Sequence, residues 1–106
     1  MRGLLTAPQS VRTDTEHPVP VALDDRLVVH PDVSFRPERF GALAYHFGNR
    51  RLSFIKHVDL LAVVEALDGE LTVREALDGV GVDPSRYGSF LAALTTLSDS
   101  EVLRAA

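Results

Sequence analysis

The sequence predicts an α+β domain, a three-stranded antiparallel sheet followed by three helices in a winged helix-turn-helix layout. Three observations predict it. Residues 33–36, 43–47 and 51–55 alternate apolar and polar side chains with the two-residue period of strands. Beyond Val58 the apolar spacing changes to that of helices. Capping and turn residues then separate three helical stretches.

Residues 1–26 read as a flexible N-terminal extension. They mix Ser, Thr, Pro and charge, and Pro18 and Pro20 exclude a helix there. The first fifteen or so are expected to be mobile, and Val19 to Val29 carries spaced apolar residues that can pack locally. The domain is placed at residues 27–106, opening on Leu27-Val28-Val29 and a turn at His30-Pro31-Asp32.

The first strand is Val33-Ser34-Phe35-Arg36. Pro37 cannot donate a ladder hydrogen bond, so it ends this strand or puts it on an edge. A hairpin follows, with Gly48-Asn49 read as a two-residue turn, Gly first. That turn pairs Tyr45 with Leu52, Leu43 with Phe54 and His46 with Arg51. Apolar meets apolar and polar meets polar, so a one-residue slip would destroy the match.

The first helix spans roughly Val58 to Leu67, with Leu60, Leu61, Val64 and Leu67 as its stripe and Asp68-Gly69 as its stop. The second opens with the capping-box pattern Thr72-Val73-Arg74-Glu75 and buries Val73, Ala76, Leu77 and Val80. The third has Asp83 as N-cap and Pro84 at its first position. Tyr87, Phe90, Leu91, Leu94 and Leu97 form its apolar face, Ser98-Asp99-Ser100 breaks it, and Val102-Leu103 packs back as a short tail.

The bulk numbers narrow the function. A chain of 106 residues holds one domain with a modest core and little room for a deep catalytic cleft. It has no cysteine, which excludes disulfides, thiolate metal sites and cysteine nucleophiles and suits a cytoplasmic location. No apolar run approaches the ~20 residues of a membrane span, and the N-terminus lacks the features of a signal peptide. The net charge is −4, unevenly spread. Residues 26–56 carry Arg26, Arg36, Arg39, Arg50, Arg51 and Lys56 against Asp32 and Glu38, a balance of +4. Residues 57–106 carry three arginines against nine acids, a balance of −6. Either this is ordinary solvated surface, or the basic part faces an acidic partner.

No constellation points to catalysis. His17, His30, His46 and His57 include no pair three or four apart, so there is no helical metal pair, and an exposed structural role is expected for each. The acidic stretches lack calcium-loop spacing, and no phosphate loop or nucleophile elbow is present. The expectation is therefore no enzyme activity, no catalytic residue, no metal and no cofactor. Winged helices often bind DNA, so a DNA-binding transcriptional regulator is the alternative. The third helix offers only Arg86 to bases, and the acidic helical half would repel phosphate, so no nucleic acid is expected as partner.

A free sheet edge suits peptide binding better. If the Val33 strand pairs with the Leu43 strand, the strand Arg51 to Ile55 keeps its outer edge open. It is short, basic and near a helix bearing Tyr87 and Phe90. Equally, Arg50, Arg51 and Lys56 can simply blunt that edge against aggregation while Tyr87 and Phe90 serve the core.

Four segments within residues 30–56 are the most specific: Arg36-Pro37-Glu38, Phe40-Gly41-Ala42-Leu43, Tyr45-His46-Phe47-Gly48 and Leu52-Ser53-Phe54. Together with the layout through Leu103, they resemble the peptide chaperones of mycofactocin biosynthesis, over about residues 26–104. That family is similar to the pyrroloquinoline-quinone peptide chaperones, a class of precursor-peptide recognition domains. The resemblance implies a non-catalytic chaperone. It implies that the leader of a ribosomally made precursor peptide adds as a strand beside the third strand and against the third helix. The domain then presents the peptide to a radical S-adenosylmethionine maturase, which owns the iron–sulfur clusters. Carried onto this chain, the peptide-binding residues are Arg51, Leu52, Ser53, Phe54 and Ile55 with Arg86, Tyr87, Phe90 and Leu94. Leu52 and Phe54 are expected to face the core, with the strand backbone and Arg51 facing the guest. No membrane partner is expected, and a free edge also allows a weak homodimer.

Overall fold

The computed structural model describes residues 19–106. The mobility expected of the first fifteen residues and the role assigned to His17 lie outside that range. The chain is an α+β fold in which a three-stranded antiparallel sheet precedes three helices. In chain order the elements are β1 (Leu27–Val29), β2 (Val33–Glu38), β3 (Gly41–His46) and β4 (Leu52–Ile55). Then come α1 (Val58–Ala66), α2 (Val73–Val80), a 3₁₀ turn over Pro84–Arg86, α3 (Tyr87–Asp99) and β5 (Leu103–Ala105).

The main sheet has the order β2-β3-β4. Its hairpin keeps the expected register, with Tyr45 opposite Leu52 and Leu43 opposite Phe54. The turn differs from expectation. Four residues, 47–50, cross between the strands, closed by the Arg50 N–H donating to the His46 carbonyl at 2.7 Å. The left-handed residue is Arg50, at φ 62°, and not Gly48. Gly48 serves by its size: a Cβ there would lie 2.8 Å from the His46 ring. On the other turn Gly41 is irreplaceable, since its φ is 152° and a Cβ would sit 2.1 Å from the Ile55 carbonyl oxygen.

The faces of the sheet are reversed relative to expectation. Ala42, Ala44, His46 and Ile55 are buried, whereas Phe47, Leu52 and Phe54 are 62%, 53% and 56% exposed. Leu52 and Phe54 therefore point away from the core. The physical reason lies in α1. Its Leu60, Val63 and Val64 are bulky and buried, and they need a strand face of small residues to approach closely. Ala42, Ala44 and Ser53 supply that face, and Ile55 closes its end.

A second, two-stranded sheet joins β1 to β5, segments whose sequence predicts only the start of the domain and a packed tail. Val102 and Leu103 are indeed buried. The His30 N–H donates to the Val102 carbonyl and the Ala106 N–H to the Arg26 carbonyl, so the ends of the domain are laced together. Residues 21–26, which the sequence places in the N-terminal extension, pack on the domain. Val21 is in the core, and the carbonyls of Leu23 and Asp25 accept the N–H groups of Arg74 and Val73 at the start of α2.

Thr72 and Glu75 form the reciprocal capping box, and α2 ends at Gly81 in the left-handed region. Asp83 accepts from the Ser85 N–H at 2.9 Å, which holds its carboxyl below the usual carboxylate range. The turn it caps is 3₁₀, and α3 begins only at Tyr87.

Candidate functional site

The two edges of the main sheet are set by one hydrogen bond each. The His46 N–H donates to the Arg51 carbonyl at 3.0 Å. In an antiparallel ladder this makes 46/51, 44/53 and 42/55 the hydrogen-bonded pairs, so the backbone groups of Leu52 and Phe54 point to the open side of β4. The Phe47 N–H donates to the Asp32 carbonyl at 2.9 Å, which places the outward groups of β2 on Val33, Phe35 and Pro37. Pro37 has no N–H, and the Val33 N–H is already bonded to the His30 carbonyl at 3.0 Å. One outward donor remains on β2, at Phe35. On β4 both remain, and neither has a partner among the described residues.

β4 borders, through Phe54, a groove walled by α3 and the start of α1. One part, of about 250 Å³, is lined by His57, Leu60, Arg86, Ser89, Phe90 and Ala93. A second part, also about 250 Å³, adds Phe54, Lys56, Thr96 and Leu97 and shares His57, Leu60 and Ala93 with the first. Ser89, Ala93 and Thr96 recur at helical spacing on one side of α3, and their small side chains leave the trough between helix and strand. Arg86 lines the first part and Lys56 the second, beside mostly apolar neighbours.

The hairpin is clamped onto α3, which fixes the width of the groove. The Asn49 side-chain amide donates to the Ser100 carbonyl at 3.3 Å, and the Arg51 guanidinium donates to the Asp99 carbonyl at 3.4 Å. Both meet the negative end of the helix dipole. Arg51 thus braces the site and does not reach out along it, a second departure from expectation.

The remaining predicted residues divide. Phe90 and Arg86 line the groove, with the guanidinium 5.1 Å above the Phe90 ring. Arg86 also lies 3.7 Å from Asp59, both half-exposed, so that pair is weak. Phe54 lines the groove from β4. Ser53 and Ile55 face the core side, and Leu94 is fully buried, so these three support the walls from behind. Tyr87 turns the other way. Its hydroxyl donates to the Asp78 carboxylate on α2, which pushes the tyrosine hydroxyl up from its ordinary value. Leu60, Ser89 and Ala93 were missed. Their signal was available in Ser89 and Ala93, small residues four apart on a helix otherwise rich in Leu.

His46 departs from its expected exposure, being 3% exposed beneath the hairpin loop. It stacks at 4.3 Å on His30, and the two imidazoles and the Asp32 carboxylate lie within 4.8 Å of one another. Metal ligation does not suit the donor set. Nδ1 of His46 accepts the N–H groups of Gly48 and Asn49 at 3.0 and 3.1 Å, and Nδ1 of His30 accepts that of Asp32 at 3.0 Å. These bonds occupy the Nδ1 lone pair of each ring, which is then not available to a cation, while Nε2 of His46 is buried without a hydrogen-bond partner among the described residues. The cluster is a hydrogen-bonded support for the turn.

Comparison with known proteins matches residues 26–104 to the peptide chaperone MftB family. A peptide chaperone MftB from Mycobacterium tuberculosis is 44% identical over 106 residues, covering 97% of this chain and 94% of its own length. Its counterpart from Mycobacterium ulcerans is 43% identical over 103 residues, with the same coverage. The one from Mycolicibacterium smegmatis is 43% identical over 75 residues, 71% of this chain and 74% of its own. No solved structure matches the chain.

Proposed function

The chain belongs to the peptide chaperone MftB family, and on that premise we propose that it binds the leader of a mycofactocin precursor peptide and presents it to a radical S-adenosylmethionine maturase. The guest adds as a strand to the open side of β4, bonding to the backbone of Leu52 and Phe54. Its inward side chains enter the groove against Leu60, Phe90 and Ala93. Residues 27–106 are the recognition domain, working in the cytoplasm with no catalytic step or cofactor of its own.

One observation carries the reading: the sheet edge with its donors free is the edge that faces the groove. Each half alone is insufficient. Main-chain hydrogen bonds contribute about 0.5–1.5 kcal/mol apiece and read no sequence. A buried aliphatic or aromatic side chain adds about 1.5–3 kcal/mol and does select. The benefit to the maturase is local concentration, since a tethered peptide meets the active site as an intramolecular partner.

Calorimetric titration of the leader peptide into the full chain tests this. Saturable binding with a negative heat-capacity change is expected, since apolar surface is buried. Heat signals that never saturate would rule the reading out.

A further inference from the structure

The side of the sheet opposite the helices carries a second surface, which meets the groove only at Phe54 and Lys56. Leu43, Tyr45, Phe47, Leu52, Phe54 and Phe40 form a continuous apolar strip there. Phe40, Phe47, Leu52 and Phe54 are all exposed, and Leu43 and Tyr45 are half-exposed between them. Aromatic pairs hold it in place: Tyr45 meets Phe47 edge-on at 5.0 Å, and Phe40 lies 6.2 Å from Phe54. A hollow of about 370 Å³ opens in it, lined by Ser34, Arg36, Leu43, Tyr45, Phe47 and Leu52. Large apolar patches cost solubility, and on a small domain they mark a contact surface.

The charges around the strip say what covers it. Arg36, Arg39, Arg50 and Lys56 are all exposed. Arg36 lies 3.3 Å from Glu38, and the other three have no ion-pair partner among the described residues. A second copy meeting face to face would bring eight cations together, so self-association through this face is disfavoured. Three of the four cations are arginine, and Tyr and Phe accompany them. That composition is typical of protein interfaces, which are depleted in lysine, more than of lysine-rich membrane-binding clusters.

We propose that this outer face docks a partner protein through an apolar patch rimmed by carboxylates, and that the partner is the enzyme that modifies the guest peptide. The identity of the partner rests on the function proposed above; the existence of the surface does not. Geometry favours the pairing. A strand added to β4 extends the same sheet, so its outward side chains continue the strip beside Leu52 and Phe54. The partner would then touch chaperone and guest together, and engage the loaded chaperone more tightly than the empty one.

The test separates the two surfaces. Phe47→Ser and Arg36→Glu lie on the hairpin loop and on β2, away from the β4 edge. Binding of the leader peptide and of the purified radical S-adenosylmethionine maturase is measured separately for the full chain and each variant, with melting curves to confirm folding. The expected result is a maturase affinity lowered about tenfold in each variant, with peptide affinity kept within about twofold. If Phe47→Ser lowers the melting point, Arg36→Glu, at a side chain that is 79% exposed, gives the reading alone. Maturase binding unchanged in both variants would overturn the proposal, as would a wild-type chain that binds peptide but not maturase. Light scattering that shows self-association abolished by both variants would assign the face to a second copy and overturn it. So would variant-sensitive binding to phosphatidylglycerol vesicles without maturase binding. Loss of peptide and maturase binding together in folded variants would contradict the separation of the two surfaces. Failure of the wild-type chain to bind peptide, by contrast, counts against the function proposed above.

Discussion

The edges of the main sheet are built from strands of similar composition, yet only one keeps all of its outward donors. β2 keeps a single outward donor, at Phe35: Pro37 has none, and the Val33 N–H closes the turn from His30. β4 keeps both of its own, at Leu52 and Phe54, and turns them toward α3. The difference teaches that an edge is closed by local hydrogen-bond accounting as much as by charge. Arg36 lies on β2 and Arg51 directly precedes β4, so charge alone would not distinguish them.

The largest expected effect separates neighbouring residues on the open strand. Ser53 donates inward to β3, so Ser53→Pro should remove a ladder bond and destabilise the fold by about 1–3 kcal/mol, read as a lowered midpoint in urea. Phe54 donates outward. Phe54→Pro should keep the fold and lower leader-peptide affinity about tenfold or more, from one lost hydrogen bond and a ring set in the path of the guest. Equal stability losses in the two variants would show that the ladder phase assigned to β4 is wrong.

A smaller effect comes from the groove. Ala93→Leu would fill the trough shared by both of its parts. Peptide affinity should fall several-fold, with the melting temperature unchanged because Ala93 is only partly buried. The smallest effect belongs to the closed edge. Pro37→Val restores a donor there, and calorimetry should show peptide affinity within about twofold of wild type, since the groove walled by α3 borders β4. A second peptide site appearing in that variant would mean that the missing donor, and not the groove, decides between the edges.

Much of this was legible in the sequence. Alternation set the hairpin register because apolar and polar positions could match in only one phase. Thr72 with Glu75, and Asp83 with Pro84, marked helix starts by local chemistry. The face of the sheet was not legible. Alternation separates two faces but does not say which one helices cover, and the bulk of Leu52 and Phe54 suggested the wrong one. Packing density reverses that guess, since bulky α1 residues require Ala42 and Ala44 opposite them. The β1–β5 pair was hidden because each strand has three residues and the partners lie over seventy positions apart. The groove was half visible. Phe90 and Arg86 stood out by type, while Ala93 and Ser89 act by being small.

The central claim is that the guest bonds to β4 and not to β2. The most direct measurement is amide hydrogen exchange by NMR with and without saturating leader peptide. The account predicts that the amides of Leu52 and Phe54 become protected on binding while that of Phe35 exchanges as before. Protection at Phe35, or binding that leaves Leu52 and Phe54 exchanging freely, would contradict it.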